Sequence, residues 1–299
     1  MENILSKTIE LDNFDKIKKI IGNPHYETKE CMIFNMDCVK ALDLLNENKI
    51  TLFNLVITSP PYNIGKEYEE NMPINEYVSW CVKWIQLIYT ICDKNASFWL
   101  NLGYLNYPEK GKALPISYLL WDKIPFYLIQ EIVWNYGAGV ACKNYFSPRN
   151  EKFLWYVKNE KGYTFNLDDI RDPDVKYPNQ KKNGKLRVNP LGKNPSDVWQ
   201  IPKVTSGRAS EERTSHPAQF PIEVIKRIIL GSSNENDLIL DPFMGSGTTA
   251  EVAISTRRKV IGFEINKEYC EIIKNRLESF NKNNISETSI GNFKKKQKK

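Results

Sequence analysis

An apolar run, Leu52-Phe53-Asn54-Leu55-Val56-Ile57, is cut short at Thr58-Ser59-Pro60-Pro61-Tyr62-Asn63, and no other junction constrains the fold as much. The run reads as a strand covered on both faces, as in parallel sheets. Two consecutive prolines end it, since each fixes its own φ, lacks an N–H and holds the residue before it extended. The turn is therefore rigid. It presents a hydroxyl, backbone carbonyls and an aromatic face at the carboxyl end of a strand, where open α/β sheets place their ligands. These groups suit a flat heterocycle bearing an amine: Tyr62 can stack on the ring while Ser59 and a proline carbonyl accept from the NH2 group. A plain strand-ending turn, or an extended Pro-Pro-aromatic stretch docked on a partner, would use the same residues.

Around this junction strands and helices alternate. Cys31–Asn35 reads as a strand, followed by Asp37 and a helical pattern from Val39. Asp37 sits where it can cap that helix or accept a hydrogen bond from a ligand amine. Asn63 to Asn75 reads as a polar, mobile loop able to close over a substrate. A helix is expected over Ile74–Asp93, a strand over Ser97–Leu102, a helix over Ala113–Lys123, and strands over Phe126–Trp134 and Glu151–Val157. After a patternless stretch come a helix at Ile222–Leu230, a strand at Asp237–Asp241, a helix near Ala250, a strand at Lys259–Glu264 and a helix from Asn266 to about Phe280. The alternation predicts an α/β fold with a mainly parallel twisted sheet and helices on both faces. The boundaries fall at 1–28 for an N-terminal arm, 29–158 for one half of the domain, 159–214 for a loop-rich insert, 215–280 for the second half and 281–299 for a basic, disordered tail.

Composition closes several routes. Six cysteines are scattered without a C-x-x-C pair and the histidines number two, so a Cys/His zinc site is not expected and no metal is assigned. No G-x-S-x-G elbow accompanies either histidine. No apolar run reaches membrane-spanning length and the first residues lack a signal-peptide pattern, so a soluble, cytoplasmic protein with no membrane partner is expected. The net charge is +6 and unevenly spread: Lys176, Lys181, Lys182, Lys185, Arg187 and Lys193 follow one another with no acid between them. Such a run is a solvated loop or a polyanion contact. With Arg208 and Arg213, whose guanidinium groups can pair bidentately with guanine edges or phosphates, Lys181, Lys182, Lys185 and Arg187 are the candidate DNA-contacting residues of the insert.

A second turn, Asp241-Pro242-Phe243-Met244-Gly245-Ser246-Gly247-Thr248-Thr249, leads from strand to helix. Its glycines allow a ligand close to the backbone, and the helix start offers free N–H groups. No G-K-[ST] follows, so it is not a phosphate P-loop. About twenty residues on, Glu264 ends the next strand, where an acid is placed to hold a ribose diol. Turn and acid together point to an adenosine-containing ligand.

Asp-Pro-Phe-Met-Gly-Ser-Gly-Thr-Thr and Thr-Ser-Pro-Pro-Tyr-Asn together resemble the signature turns of the S-adenosylmethionine-dependent DNA amino-methyltransferases, over roughly Ile33 to Arg276. The order, with the Pro-Pro-Tyr turn first, a long insert next and the glycine-rich turn last, resembles the β group of that family. The resemblance implies a Rossmann-like methyltransferase fold, S-adenosylmethionine as cofactor and double-stranded DNA as partner. It implies catalytic roles for Ser59, Pro60, Pro61 and Tyr62, and the methionine side of the cofactor for Asp241, Phe243, Gly245, Gly247 and Thr248. It gives the ribose to Glu264, the adenine amine to Asp37, and site closure to the segment of His216 and Gln219. Relatives commonly carry lysine where this chain has Phe220. Members acting on adenine N6 usually begin the tetrapeptide with Asp or Asn, and those acting on cytosine N4 with Ser, so Ser59 implies N4-methylation of a flipped cytosine, with N6-methylation of adenine or an inactive DNA-binding protein as the alternatives. No cysteine follows a proline, which excludes the covalent C5-cytosine route. The family often works beside a cognate restriction endonuclease.

Overall fold

The protein is described by a computed structural model covering residues 12–67, 69, 71–139, 141–205 and 207–296, with the side chains at 207–209 and 283–296 excepted. In chain order, α1 (Asn13–Ile21) precedes β1 (Tyr26–Glu27) and β2 (Cys31–Asn35), and α2 (Cys38–Glu47) leads to β3 (Phe53–Thr58). Helix α3 (Ile74–Ile91) runs directly into β4 (Cys92–Leu102). The hairpin β5 (Tyr104–Tyr107) and β6 (Gly111–Pro115), the short α4 (Ile116–Leu120), β7 (Tyr127–Asn135) and β8 (Asn150–Val157) follow. Next come a small hairpin, β9 (Lys181–Lys182) with β10 (Lys185–Leu186), and β11 (Val198–Gln200). The last elements are α5 (Ile222–Ser232), β12 (Leu238–Asp241), α6 (Thr248–Ser255), β13 (Lys259–Glu264) and α7 (Lys267–Lys296).

One sheet organises these elements, in the order β1-β2-β13-β12-β3-β4-β8-β7-β11. The five strands from β2 to β4 are parallel, as their apolar runs predict. Strand β8 lies antiparallel between β4 and β7. Residues of β3 alternate between two cores: Val56 joins the cluster beneath α2 and α3, with Leu42, Trp84 and Phe98, while Leu55 and Ile57 join the cluster beneath α5, α6 and α7, with Ile225, Ala253 and Ile273. Both faces are covered, so the strand is apolar in both registers. From β12 the chain crosses through α6 to β13 on one side, and from β3 through α3 to β4 on the other. Strand order therefore reverses between β12 and β3, and the crevice lies outside their carboxyl ends. Among the described residues no helix is long and apolar enough to cross a membrane.

Four expectations change. The helix read over Ala113–Lys123 shrinks to α4, because the residues before it pair as the β5–β6 hairpin. The loop read as mobile is tied to itself: the Glu69 carboxylate accepts from the N–H groups of Asn63, Ile64 and Lys66, and the Asn63 amide exchanges two hydrogen bonds with the Met72 backbone. Helix α7 continues through Lys296, past the Phe280 boundary and into the stretch read as a disordered tail.

The insert, finally, is not patternless at its ends. The Asn166 amide donates to the carbonyls of Leu230 and Ser233, closing the carboxyl end of α5. Further along, β11 adds to the sheet parallel to β7. Its Trp199 is buried, stacked at 5.8 Å on Trp99 and tilted at 6.2 Å against Phe153. The exposed portion hangs between these anchors and is closed at its base by the pairing of Asp172 with Lys193. Replacing Trp199 by alanine should therefore cost about 3–5 kcal/mol of stability, the range for emptying a buried aromatic site. Urea unfolding measures it, and a change within about 0.5 kcal/mol, as for an ordinary surface position, would return Trp199 to the exposed part of the insert.

Candidate active site

At the switch point the two signature turns are joined through one carboxylate. Asp241, at the end of β12, is buried and accepts from Thr58 Oγ1 at the end of β3 (3.0 Å), from Thr249 Oγ1 (2.7 Å) and from the Phe243 N–H (3.1 Å). Burial pushes its pKa up to about 6, against the pull of these three donors. The bonds hold two strand ends and the first turn of α6 in one geometry.

The glycine-rich turn follows. Gly245 and Gly247 have φ of 56° and 79°, left-handed values that exclude most side chains. A Cβ on Gly245 would come within 3.1 Å of the His216 ring, and one on Gly247 within 2.9 Å of Ile273. No side chain caps the start of α6, which leaves its amino end with the donors a ligand can use. The Gly245 N–H donates to Glu264 Oε2 (2.9 Å) and the Asn266 N–H to Oε1 (2.8 Å), so Glu264, at the end of β13, is held facing the turn. Its pKa is raised by burial, and these N–H bonds oppose the rise. Thr248 Oγ1 donates to the Phe220 carbonyl (3.1 Å) and receives a bond from Arg276 Nη1 (3.0 Å). Phe243 lies edge-on to Trp80 and Trp84 of α3, with centroids 5.6 and 5.3 Å away. Asp37 caps α2 through the Lys40 N–H (3.0 Å) with one of its two oxygens.

The His216–Gln219 segment folds against this turn. The His216 ring packs on Gly245 and edge-on to Tyr269 at 4.4 Å, and its Nδ1 accepts the Ala218 N–H at 3.1 Å. Gln219 is a clasp: Oε1 accepts from the N–H (2.9 Å) and Oγ1 (2.8 Å) of Thr214, and Nε2 donates to the Glu212 carbonyl (2.6 Å). Phe220 packs between Trp134 and Phe153, a core position rather than an ionic one.

On the other side of the crevice the Ser-Pro-Pro-Tyr turn is fixed by partners that the sequence did not announce. Asn101, buried near the end of β4, takes two hydroxyl protons on Oδ1, from Ser59 Oγ at 3.2 Å and Tyr62 at 2.5 Å. Its Nδ2 donates to the Lys152 carbonyl (3.1 Å). The hydroxyls of Ser59 and Tyr62 are 3.1 Å apart. Glu151 Oε2 lies 3.4 Å from the Tyr62 hydroxyl, and its Oε1 pairs with Lys203 at 3.1 Å. The Tyr77 hydroxyl donates to the Pro61 carbonyl (2.8 Å). Gly103 leaves room for the Tyr62 ring, where a Cβ would stand 2.7 Å from its edge. In the sequence, the one available sign of Asn101 was a polar side chain inside an otherwise buried strand.

The basic candidates lie on a separate element. Lys181, Lys182, Lys185 and Arg187 are exposed on and beside the β9–β10 hairpin, whose Asn183-Gly184 turn has φ of 51° and 79°, as a two-residue primed turn requires. Arg213 is also exposed. Arg208 belongs to a short 3-10 turn, Gly207–Glu212, and its side chain lies outside the described residues. Among the described side chains, those of Lys181, Lys182, Lys185, Arg187 and Arg213 stand apart from both signature turns.

An uncapped helix start, a buried acid at the next strand end and a rigid hydroxyl-bearing turn face one crevice, an arrangement suited to group transfer from a nucleoside-type cofactor. Residues 53–275 match the family model described as DNA methylase, of the N6/N4 methyltransferases. The chain belongs to this family of S-adenosylmethionine-dependent DNA amino-methyltransferases. It is 57% identical over 265 residues to the Type II methyltransferase M.ScaI of Streptomyces caespitosus, covering 88% of this chain and 86% of that protein, and is a Type II DNA methyltransferase. Among solved structures, the PvuII DNA methyltransferase (cytosine-N4-specific) superposes with a TM-score of 0.65 at 22% identity, covering 85% of this chain and 88% of that one. The M1.HpyAVI–SAM complex superposes at 0.56 and 24%, covering 83% and 98%. At such identities the likeness is one of fold.

Burial lowers the His216 pKa to about 4, and Nδ1 as an acceptor leaves its proton on Nε2. The folded state thus resists a proton that an unfolded histidine takes up near pH 6.5. This residue's share of stability is complete above pH 6.5 and is lost as pH falls toward 4. An NMR titration of the two histidines, assigned with His25→Gln, should show His216 still neutral at pH 5. A midpoint near 6.5 would place the ring in solvent, away from Gly245.

Proposed function

We propose that this enzyme transfers the methyl group of S-adenosylmethionine to the exocyclic N4 amine of a cytosine flipped out of duplex DNA, as the modifying half of a restriction–modification pair with a cognate endonuclease. The reading is carried by one observation, the paired hydroxyls of Ser59 and Tyr62 on Asn101 Oδ1. Asn101 Oδ1 accepts the Ser59 hydrogen bond, which turns the Ser59 lone pairs toward an incoming NH2 group. The Pro60 carbonyl, with no proline N–H to engage it nearby, is the second acceptor. Two acceptors in the amine's plane draw its lone pair out of conjugation with the ring and aim it across the crevice. Ser59 accepts a hydrogen bond and never becomes a nucleophile. Tyr62 stacks on the flipped base, with Pro61 fixed beneath it by Tyr77.

Bound S-adenosylmethionine supplies an electrophilic methyl group on a sulfonium centre. On this chain Phe243, Gly245, Gly247, Thr248 and Asp241 shape the turn that would hold its methionine part. Glu264 would accept from the ribose diol, and Asp37, with one oxygen on the α2 cap, has a second for the adenine amine. Gln219 and His216 close that end. Cytosine rather than adenine is favoured by Ser59 at the head of the tetrapeptide, where adenine-acting members of the family usually carry Asp or Asn. The exposed hairpin of Lys181, Lys182, Lys185 and Arg187, with Arg208 and Arg213, meets the DNA.

Incubation with labelled S-adenosylmethionine and mixed-sequence duplex DNA, followed by mass spectrometry of the nucleosides, should yield N4-methylcytosine. N6-methyladenine instead would keep the fold and cofactor and overturn the base assignment. Sequencing of the methylated product gives the recognition site.

Neutralising Lys181, Lys182 and Lys185 to glutamine should weaken DNA binding and make log K fall less steeply with log salt, by roughly 0.9 in slope for each phosphate left without its lysine. An unchanged slope would remove the hairpin from the interface.

A further inference from the structure

We infer that Phe146 is the wedge that fills the duplex when the target base leaves it, an inference that rests on the flipped-base reading above. Phe146 is 99% exposed, as a free side chain would be, on the loop between β7 and β8. Strand β7 points the same way as β3 and β4, because β8 is antiparallel to both β4 and β7. The loop after β7 therefore rises at the edge that carries Ser59 and Asp241. Glu151 lies five positions on from Phe146, a reach of at most about 18 Å, or about five base steps of 3.4 Å. Glu151 in turn stands 3.4 Å from the Tyr62 hydroxyl.

The ring is held out by a built loop. The Cys142 N–H donates to Ser147 Oγ at 2.9 Å and closes the tip around residues 143–146. The Tyr136 N–H donates to the Arg149 carbonyl at 3.1 Å and closes the base. At Gly139, with φ of 153°, a Cβ would stand 2.5 Å from Arg149 Nη1, so the guanidinium packs against this glycine across the loop. Next to Phe146, Tyr145 lies beneath the Lys112 ammonium of β6, at 4.5 Å. Its neighbour is thus engaged by the protein while Phe146 is left with water. An apolar ring in water gains by burial, and exposed Lys143 beside it, with Lys112 on the next hairpin, supplies charge suited to the phosphates that position such a loop. A flipped base leaves an unstacked gap one step high. An aromatic side chain fills that gap by stacking and needs no hydrogen-bond partner there.

The test uses the full-length enzyme and two duplexes carrying its own recognition site. One is fully paired, and the other has an abasic position opposite the target base, which removes the pairing that must be broken. Single-turnover methylation by Phe146→Ala should fall by about tenfold or more on paired DNA and return to within about twofold of wild type on the abasic duplex. Phe146→Trp should stay close to wild type on both. S-adenosylmethionine affinity, measured without DNA, should be unchanged in either variant, which separates the effect from misfolding. An equal loss on both duplexes, or no loss on either, would overturn the wedge. A wild-type enzyme that methylates neither duplex would instead sink the reading on which the wedge rests.

Discussion

The buried carboxylate of Asp241 is the constraint on which the crevice depends. Three donors converge on it, from the strand that ends in Ser-Pro-Pro-Tyr, from the glycine-rich turn and from the first turn of the helix beyond. A carboxylate stripped of water is costly, and its pKa rises accordingly, but each donor that offsets the cost also fixes the element that carries it. The two halves of the site are some 180 residues apart in sequence, and Thr58 and Asp241 are the pair that brings them to 3.0 Å. The sheet alone would place both turns along one edge. Direct pairing of β12 with β3 sets their register, and this bond ties the two turns together at its end.

From that pin outward, the architecture assigns separate tasks to separate elements. On one side the chain leaves β12 for β13, and the adenosine-type features follow: glycines, an open helix start and Glu264. On the other it leaves β3 for β4, and then β8 reverses direction, bringing Asn101 and Glu151 to the same edge from strands that run opposite ways. An antiparallel strand in a parallel sheet thus has a local effect. The amino end of β8, not its carboxyl end, reaches the site.

Both turns were legible in the sequence because proline and glycine leave marks that depend on backbone geometry alone. Pro60 and Pro61 must end a strand, and Gly245 and Gly247 must turn. The parallel strands were legible for a related reason, since burial on two faces leaves few polar positions. What could not be read were features whose meaning depends on a distant register. Asn101 becomes an acceptor for two hydroxyls only because β3 and β8 flank β4, and nothing near it in the chain specifies either neighbour. Trp199 and Ile201 sat among prolines, lysines and asparagines, a composition that hid these core anchors, so the whole stretch from Asn159 to Thr214 read as an insert. The loop after Asn63 misled in the opposite sense: it read as polar and mobile, yet Glu69 commits its carboxylate to three backbone N–H groups. Asp37 kept both of its readings, since capping α2 occupies one oxygen and leaves the other.

The hydroxyl triangle of Ser59, Tyr62 and Asn101 has a consequence for selectivity. Before any nucleic acid arrives, Ser59 and Tyr62 already donate to Asn101 Oδ1. With those donors committed, the triangle offers an entering group acceptors only. A loose base gains at most the few bonds its own amine donates, and is weakly held. Affinity must come from the surfaces that grip the duplex, and the pocket acts as a gate that checks what those surfaces deliver. In an enzyme whose task is to mark one site among very many, a reaction centre indifferent to loose bases keeps the choice of site with the rest of the protein.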